Sequence, residues 1–260
     1  MALNTPQTSI FSLQNITVQF GGLTAIDNLS FEIPTPGIYG LIGPNGAGKT
    51  TIFNVMTGIY TPQKGDVIFL GSKVTDLKPY LMARMGLTRT FQNIRLFESL
   101  TVLENVFIPK ARLLSTLKYL FFIETDNYKK TIEFCREILN FVGLSHYENR
   151  PASSLPYGDQ RKLEIARALA LEPKLLLLDE PAAGMNPSEK KELGQLLDKI
   201  ILKDLSILVI EHDMRFMMNH CPRITVLDHG KIISEGSPSH IQNDPAVIEA
   251  YLGKSMGDFS

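Results

Sequence analysis

Cysteine is scarce in this chain. Only Cys135 and Cys221 occur among 260 residues, and they show no metal-ligand spacing. Such sparing use points to a reducing compartment and to two free thiols, which argues against a disulfide framework. Charge of either sign is not in excess: Lys and Arg number 26 against 27 Asp and Glu, a formal net charge of −1. That balance supplies no general attraction to nucleic acid or to anionic lipid. Any membrane association must then come from a specific protein partner or a local patch. Basic residues are absent before Lys49, and the first charged residue is Asp27, so the start lacks the positive segment of a secretory signal. Long apolar runs are missing too. Leu175 to Leu178 and Ile207 to Ile210 are far shorter than the roughly 20 residues needed to cross a hydrocarbon core, so the chain is expected not to span a membrane.

The material present suffices for one sizeable core, with 44% hydrophobic and 20% charged residues. Residues 10–20 and 29–33 alternate apolar with polar side chains, as antiparallel strands do. Gly37 to Ile42 forms a short apolar strand entering a glycine-rich loop, and a helix is expected from Lys49 to about Thr57, closed by Gly58. Asp66 to Leu70 reads as a further strand. Helical periodicity dominates from about Asn93 to Leu155. Strand (Leu175–Leu178), helix (Glu189–Leu202), strand (Ile207–Ile210), helix (Met214–His220) and strand (Ile224–Leu227) then alternate, which predicts a mainly parallel sheet with helices on both faces. No internal repeat or low-complexity linker is evident, so the helical stretch reads as an insertion within one domain.

Gly43-Pro44-Asn45-Gly46-Ala47-Gly48-Lys49-Thr50 fits the G-x-x-x-x-G-K-[ST] pattern between a strand and a helix. Glycines let such a loop turn its N–H groups inward, and the helix that follows aims its positive dipole end at an anion. Lys49 is the partner expected for β- and γ-phosphates, the Thr50 hydroxyl a ligand for Mg²⁺, and Thr51 a further contact. Leu175 to Leu178 runs into Asp179 and Glu180, delivering two carboxylates to the sheet edge beside that loop. Taken alone, such a pair also fits a helix N-cap. Beside a phosphate loop, Asp179 is the candidate for the Mg²⁺ shell and Glu180 for orienting or deprotonating the attacking water. His212 follows another apolar strand and emerges on the same side, within reach of a γ-phosphate. His146, His220, His229 and His240 read as ordinary solvent-exposed histidines.

Many nucleotide hydrolases share those features, and the segment Leu155-Pro156-Tyr157-Gly158-Asp159-Gln160 narrows the choice. It runs directly into a helix with an apolar face of Leu163, Ala166, Leu169 and Ala170. The segment resembles the signature motif of ABC ATPases, usually written L-S-G-G-Q, and the resemblance extends over nearly the whole chain. It implies a P-loop NTPase core of α/β class with a mainly parallel sheet, an N-terminal antiparallel β subdomain and an inserted α-helical subdomain at about 93–160, all within a single nucleotide-binding domain of residues 1–260. It implies further that Phe20 stacks on adenine, that Gln92 reaches Mg²⁺ from the Q-loop, that Ala182 to Asn186 form the D-loop, that His212 is the switch histidine, and that the signature completes the ATP site of an opposite subunit.

The wording Gly-Asp-Gln-Arg, Pro181-Ala182-Ala183-Gly184-Met185-Asn186-Pro187, Glu211-His212-Asp213-Met214 and the closing Asp244 to Gly253 is similar to the ATPase subunits of bacterial branched-chain amino acid importers. Relatives of that branch serve urea or amide import or lipopolysaccharide export. The implied partners are a second ATPase subunit, a transmembrane permease and, indirectly, a periplasmic or extracellular substrate-binding protein, with no nucleic acid. The implied location is the cytoplasmic face of the bacterial inner membrane. A rival, a soluble ABC ATPase acting on DNA or ribosomes, would carry a basic face or coiled-coil arms, and neither is evident.

Three positions depart from the family pattern. Pro156 replaces serine and removes a hydroxyl and an N–H, Asp159 replaces a neutral residue, and Asn186 replaces the D-loop aspartate. These are either harmless features of the branch or marks of a less active site in a mixed dimer. Residues 107–123 mix apolar side chains with Lys110, Arg112 and Lys118. Such a stretch fits a helix packing its apolar face inward, or alternatively a segment lying near the permease or lipid headgroups.

Overall fold

Two strands that alternate apolar and polar residues open the chain, β1 (Phe11–Phe20) and β2 (Leu23–Ile33), followed by β3 (Gly37–Ile42). The computed structural model describes residues 9–34, 36–113 and 126–252. After β3 come α1 (Lys49–Met56), β4 (Lys64–Phe69), β5 (Ser72–Lys73), α2 (Pro79–Met85) and β6 (Leu87–Arg89). Helices α3 (Val102–Leu113), α4 (Asp126–Phe141) and α5 (Tyr157–Leu169) separate β6 from β7 (Leu175–Asp179). The chain closes with α6 (Pro187–Ile201), β8 (Ser206–Ile210), α7 (Met214–His220), β9 (Arg223–Asp228), β10 (Lys231–Gly236), α8 (Pro238–Asn243) and α9 (Pro245–Leu252).

The strands form two sheets. One is antiparallel, in the order β2-β1-β4-β5, and the other runs β10-β9-β3-β8-β7-β6, parallel except for the β9–β10 pair. Both β7 and β8 are buried at every residue, which their unbroken apolar runs require of central strands. The side-chain period of two then splits them. Leu175, Leu177, Leu208 and Ile210 face a core shared with Ile52, Phe53 and Met56 of α1 and with Phe11, Leu13 and Phe69 of the antiparallel sheet. Leu176, Leu178, Ile207 and Val209 face the opposite core, built with Leu163 and Ala166 of α5, Leu193 and Leu197 of α6, and Phe216 and Met217 of α7. Each buried aliphatic side chain contributes about 1.5–3 kcal/mol.

Helices lie on both faces as expected, α1 on one and α5, α6 and α7 on the other, and the antiparallel sheet joins α1 on its side. A sheet with one apolar face must bury it against something, and here it closes over α1. The strand expected at 29–33 begins already at Leu23. Helix does not start at Asn93: α3 begins at Val102, where Thr101 and Glu104 form reciprocal caps, with Glu104 N–H donating to Thr101 Oγ1 (3.1 Å) and Thr101 N–H to Glu104 Oε2 (2.7 Å). The fully buried Asn105 side chain holds the irregular segment before it through Phe97 N–H (2.9 Å), Phe97 O and Thr101 O (both 3.0 Å). Of the basic amphipathic stretch at 107–123, residues 114–123 lie outside the described residues.

Parallel register brings the site together. Leu41 of β3 and Asp179 of β7 both pair with Ile210 of β8, so three strands end within one residue of a common row. The next residues along each strand, Ile42-Gly43, Glu180 and Glu211-His212, therefore emerge at the same sheet edge, where α/β proteins bind ligands.

Candidate nucleotide-binding site

The loop from Gly43 to Gly48 leaves β3 and enters α1. Gly43 approaches the β9 backbone so closely that a Cβ there would lie 2.1 Å from the Leu227 carbonyl. Gly48 caps α1 at φ +107°, a conformation open to glycine at little cost. No side chain caps α1, and its first turn carries no acidic residue, which leaves that end suited to an external anion. Lys49 is buried, and its ammonium donates to the carbonyls of Gly43 (2.6 Å) and Pro44 (2.9 Å). Asn45, Gly46 and Thr50 are exposed, Thr51 is half-buried, and Pro44 and Ala47 are buried. Ala47 is pinned, its N–H to Pro44 O (3.1 Å) and its carbonyl to Gly230 N–H (2.9 Å). Phe20, 45% exposed at the end of β1, meets Tyr60 edge-on at 5.2 Å.

Glu180 stands beyond β7 with φ +47°, a left-handed conformation that costs a glutamate energy and persists only where surroundings enforce it. Its N–H donates to Ile210 O at 2.9 Å, which ties it to β8. One carboxylate oxygen lies 2.7 Å from His212 Nε2, and the other accepts from Gln92 Nε2 at 3.0 Å. Two side chains from two separate loops thus converge on one carboxylate. Behind them, the buried Glu211 accepts from Ala182 N–H (2.5 Å) and His212 N–H (3.1 Å), which joins the loop after β7 to the loop after β8. Burial pushes the Glu211 carboxyl above its ordinary range, against the pull of those hydrogen bonds.

Asp179 is nearly buried, and its carboxylate pairs with Arg89 Nη2 at 2.7 Å. Arg89 Nη1 donates to Asn54 of α1 at 2.7 Å, and the guanidinium lies over the rings of Phe53 and Phe91.

Around the α5 N-terminus, Leu155 and Gly158 are buried, while Pro156 is exposed and Tyr157 43% exposed. Pro156 occupies the N-cap position, and Gln160 folds back so that Nε2 donates to Leu155 O at 2.9 Å. Asp159 pairs with Lys162 (3.2 Å), which also reaches Glu192 (2.7 Å); these acids raise the Lys162 ammonium pKa against its desolvation. Asn186 caps α6 through Ser188 N–H and Glu189 N–H, with Glu189 returning to Asn186 N–H.

The profile of the ABC transporter family matches residues 26–183. Over 251 residues, 95% of this chain and 98% of the relative, the sequence is 41% identical to the high-affinity branched-chain amino acid transport ATP-binding protein LivG of Escherichia coli (strain K12). The chain belongs to the ABC transporter ATP-binding family. A second profile, branched-chain amino acid ATP-binding cassette transporter, matches residues 231–255. The ADP-conformation crystal structure of MJ1267, an ATP-binding cassette of an ABC transporter, aligns with TM-score 0.85 and 33% identity over 95% of this chain and 99% of that one. A dimeric post-hydrolysis structure of the cassette MJ0796 bound to ADP and Pi aligns with TM-score 0.75 and 25% identity over 88% and 98%.

The cassette has the expected architecture, a P-loop core on a mainly parallel sheet with an antiparallel β layer. Lys49, Asp179 and Glu180 stand out in the sequence pattern, whereas Arg89, Glu211, Arg161 and Glu164, whose partners lie around the site, do not. An arginine within the short apolar strand Leu87–Arg89, or an arginine and a glutamate three residues apart on one helix, was the available signal. His220 is not the solvent-exposed histidine expected from its sequence setting. Instead it is half-buried, its ring against Phe216 (4.8 Å) and over Gly194, where a Cβ would meet it at 2.1 Å. In the C-terminal segment, burial pushes the Tyr251 phenol up to about 12 against a hydrogen bond from the Gly43 backbone.

Proposed function

We propose that the cassette hydrolyses ATP as one of two ATP-binding subunits driving a permease that imports branched-chain amino acids. The observation that carries the hydrolytic part is the convergence of Gln92 and His212 on the Glu180 carboxylate. In this reading residues 1–260 act as one nucleotide-binding domain with a helical subdomain at about 93–160. Phosphates lie in the loop Gly43 to Thr51, held by backbone N–H groups and by Lys49, whose ammonium exchanges the Gly43 and Pro44 carbonyls for phosphate oxygens. Phe20 offers its exposed face to adenine. The segment Leu155 to Gln160 faces the triphosphate on the opposite subunit. The dimeric state of the MJ0796 relative, bound to ADP and Pi, supports that arrangement.

Glu180 accepts the proton of the attacking water, while His212 sits where it can contact the γ-phosphate. Phosphoryl transfer asks mainly for positioning and charge stabilisation, and the two hydrogen bonds to Glu180 fix its carboxylate. The hydroxyl of Thr50, the carboxylate of Asp179 and the amide oxygen of Gln92 form a hard oxygen donor set of the kind Mg²⁺ selects. Asp179 is already countered by a cation, Arg89, which agrees with an anionic position built to meet positive charge. Bound there, Mg²⁺ would neutralise phosphate charge.

The import reading rests on the similarity to LivG along nearly the full length of both chains. Among the described residues no helix is long and apolar enough to cross a membrane, so a separate permease would provide the pathway and hold the cassette at the cytoplasmic face. A substrate-binding protein takes part through that permease. Replacing Glu180 with Gln tests the hydrolytic assignment. Turnover should fall by about 100-fold or more with ATP binding retained; normal turnover by that variant would refute the role of Glu180.

A further inference from the structure

Arg161 is the largest fully buried side chain among the described residues, and it lies on α5 directly after the signature segment. Its Nη1 donates to Phe91 O (2.8 Å) and pairs with Glu164 Oε2 (2.9 Å). Its Nη2 donates to Gln92 O (2.8 Å) and to the Tyr157 hydroxyl (3.2 Å). Glu164 completes the grip from the same helix by accepting Phe91 N–H at 3.2 Å. The planar fork of a guanidinium suits two adjacent carbonyls, and the burial of Arg161 itself limits the competition from water.

The side chain of Gln92 is itself exposed, so its approach to Glu180 is set by where its backbone is held. A second contact runs in parallel. The ring of Tyr157 lies against Gly184, where a Cβ would meet it at 3.2 Å, and Gly184 follows Glu180 by one short turn. Tyr157 thus touches both Arg161 and the loop beyond Glu180.

We infer that Arg161 is a positioning residue for hydrolysis: it ties the signature helix to the Gln92 backbone and so holds the Gln92 amide against Glu180 of the same chain. The inference rests on the reading of Glu180 as the group that activates water. It assigns Arg161 no contact with nucleotide. Its effect should therefore appear in kcat and depend on the side chain of Gln92.

The test uses the full-length chain with Arg161→Lys, which keeps a positive charge beside Glu164 but cannot span two carbonyls. The kcat for ATP should fall about tenfold, because displacements near 1 Å at reacting groups cost up to about 100-fold. KM, and the Kd for a fluorescent ATP analogue, should stay within about twofold of the unmutated chain. In a Gln92→Ala background the same substitution should cost less than about twofold, since the two residues act in series. Glu164→Gln should reproduce this pattern with a loss of about threefold or more, and decides the matter if Arg161→Lys does not fold. Unchanged kcat, an equal loss in the Gln92→Ala background, or a loss confined to KM would overturn the inference. Glu180→Gln separates the two levels. An inactive Glu180→Gln beside a fully active Arg161→Lys defeats this inference alone, whereas an active Glu180→Gln defeats the reading beneath it.

Discussion

Gly43 has no room for a side chain, because the Leu227 carbonyl would meet a Cβ at 2.1 Å and neither backbone can yield without moving the loop. Gly43→Ala should cost at least about 2 kcal/mol in a urea titration and weaken ATP binding by about tenfold or more, measured with a fluorescent analogue. The two thiols make a different prediction. Cys135 and Cys221 are free and buried, and burial pushes them up to about 11 and about 12. A thiol reagent at pH 8 should leave both unmodified until denaturant is added. Folded values above the ordinary thiol value mean that the unfolded chain releases these protons first. Stability is thus fully present below about pH 9 and is lost as pH rises toward 11–12; a melting temperature unchanged from pH 8 to pH 11 would contradict this. At this scale Lys49, Asp179 and Glu180 could be read from local pattern, since a few neighbours define each. Arg89 and Arg161 could not. Their partners stand 90 residues away at Asp179 and 69 away at Gln92, and only strand register and helix packing bring them near.

The joint between α1, β6 and β7 is held by Arg89, which reaches Asn54 on one side and Asp179 on the other. Both members of the ion pair are about 8% exposed, so solvent screens little of it. Arg89→Met would leave a nearly buried carboxylate uncompensated, and the expected loss is about 3–5 kcal/mol by denaturant titration; a loss under about 1 kcal/mol would show that Asp179 is solvated or neutral there. The long, strongly patterned elements were legible: β7 and β8 from unbroken apolar runs, α6 from its 3.6-residue period, β1 from alternation. The short ones were not. β6 has three residues, Leu87-Thr88-Arg89, too few for any period to register, and it is a strand because β7 offers it a parallel partner. The start of α3 was misplaced although Thr101 and Glu104 spell a capping box, because apolar residues before Thr101 continue a helical rhythm that Asn105 cancels by binding their backbone.

Across the whole molecule, the loop Gly43 to Gly48, Glu180 and His212 stand along one sheet edge, whereas the segment Leu155 to Gln160 opens α5, which lies between β6 and β7 in the chain. The fold class was legible because strand and helix alternate in order. Closure of an antiparallel sheet over α1 was not, since no local pattern states which face of a sheet another sheet will cover. The function proposed above has the pocket completed by a second chain, and every role proposed for Leu155 to Gln160 depends on it. The most direct measurement is ATP turnover per chain across a dilution series, with sedimentation recording the oligomeric state at each concentration. If the pocket is composite, turnover per chain falls in step with the dimer fraction, and Glu180→Gln with ATP sediments as a dimer. Full turnover by a chain that sediments as a monomer throughout would contradict the account.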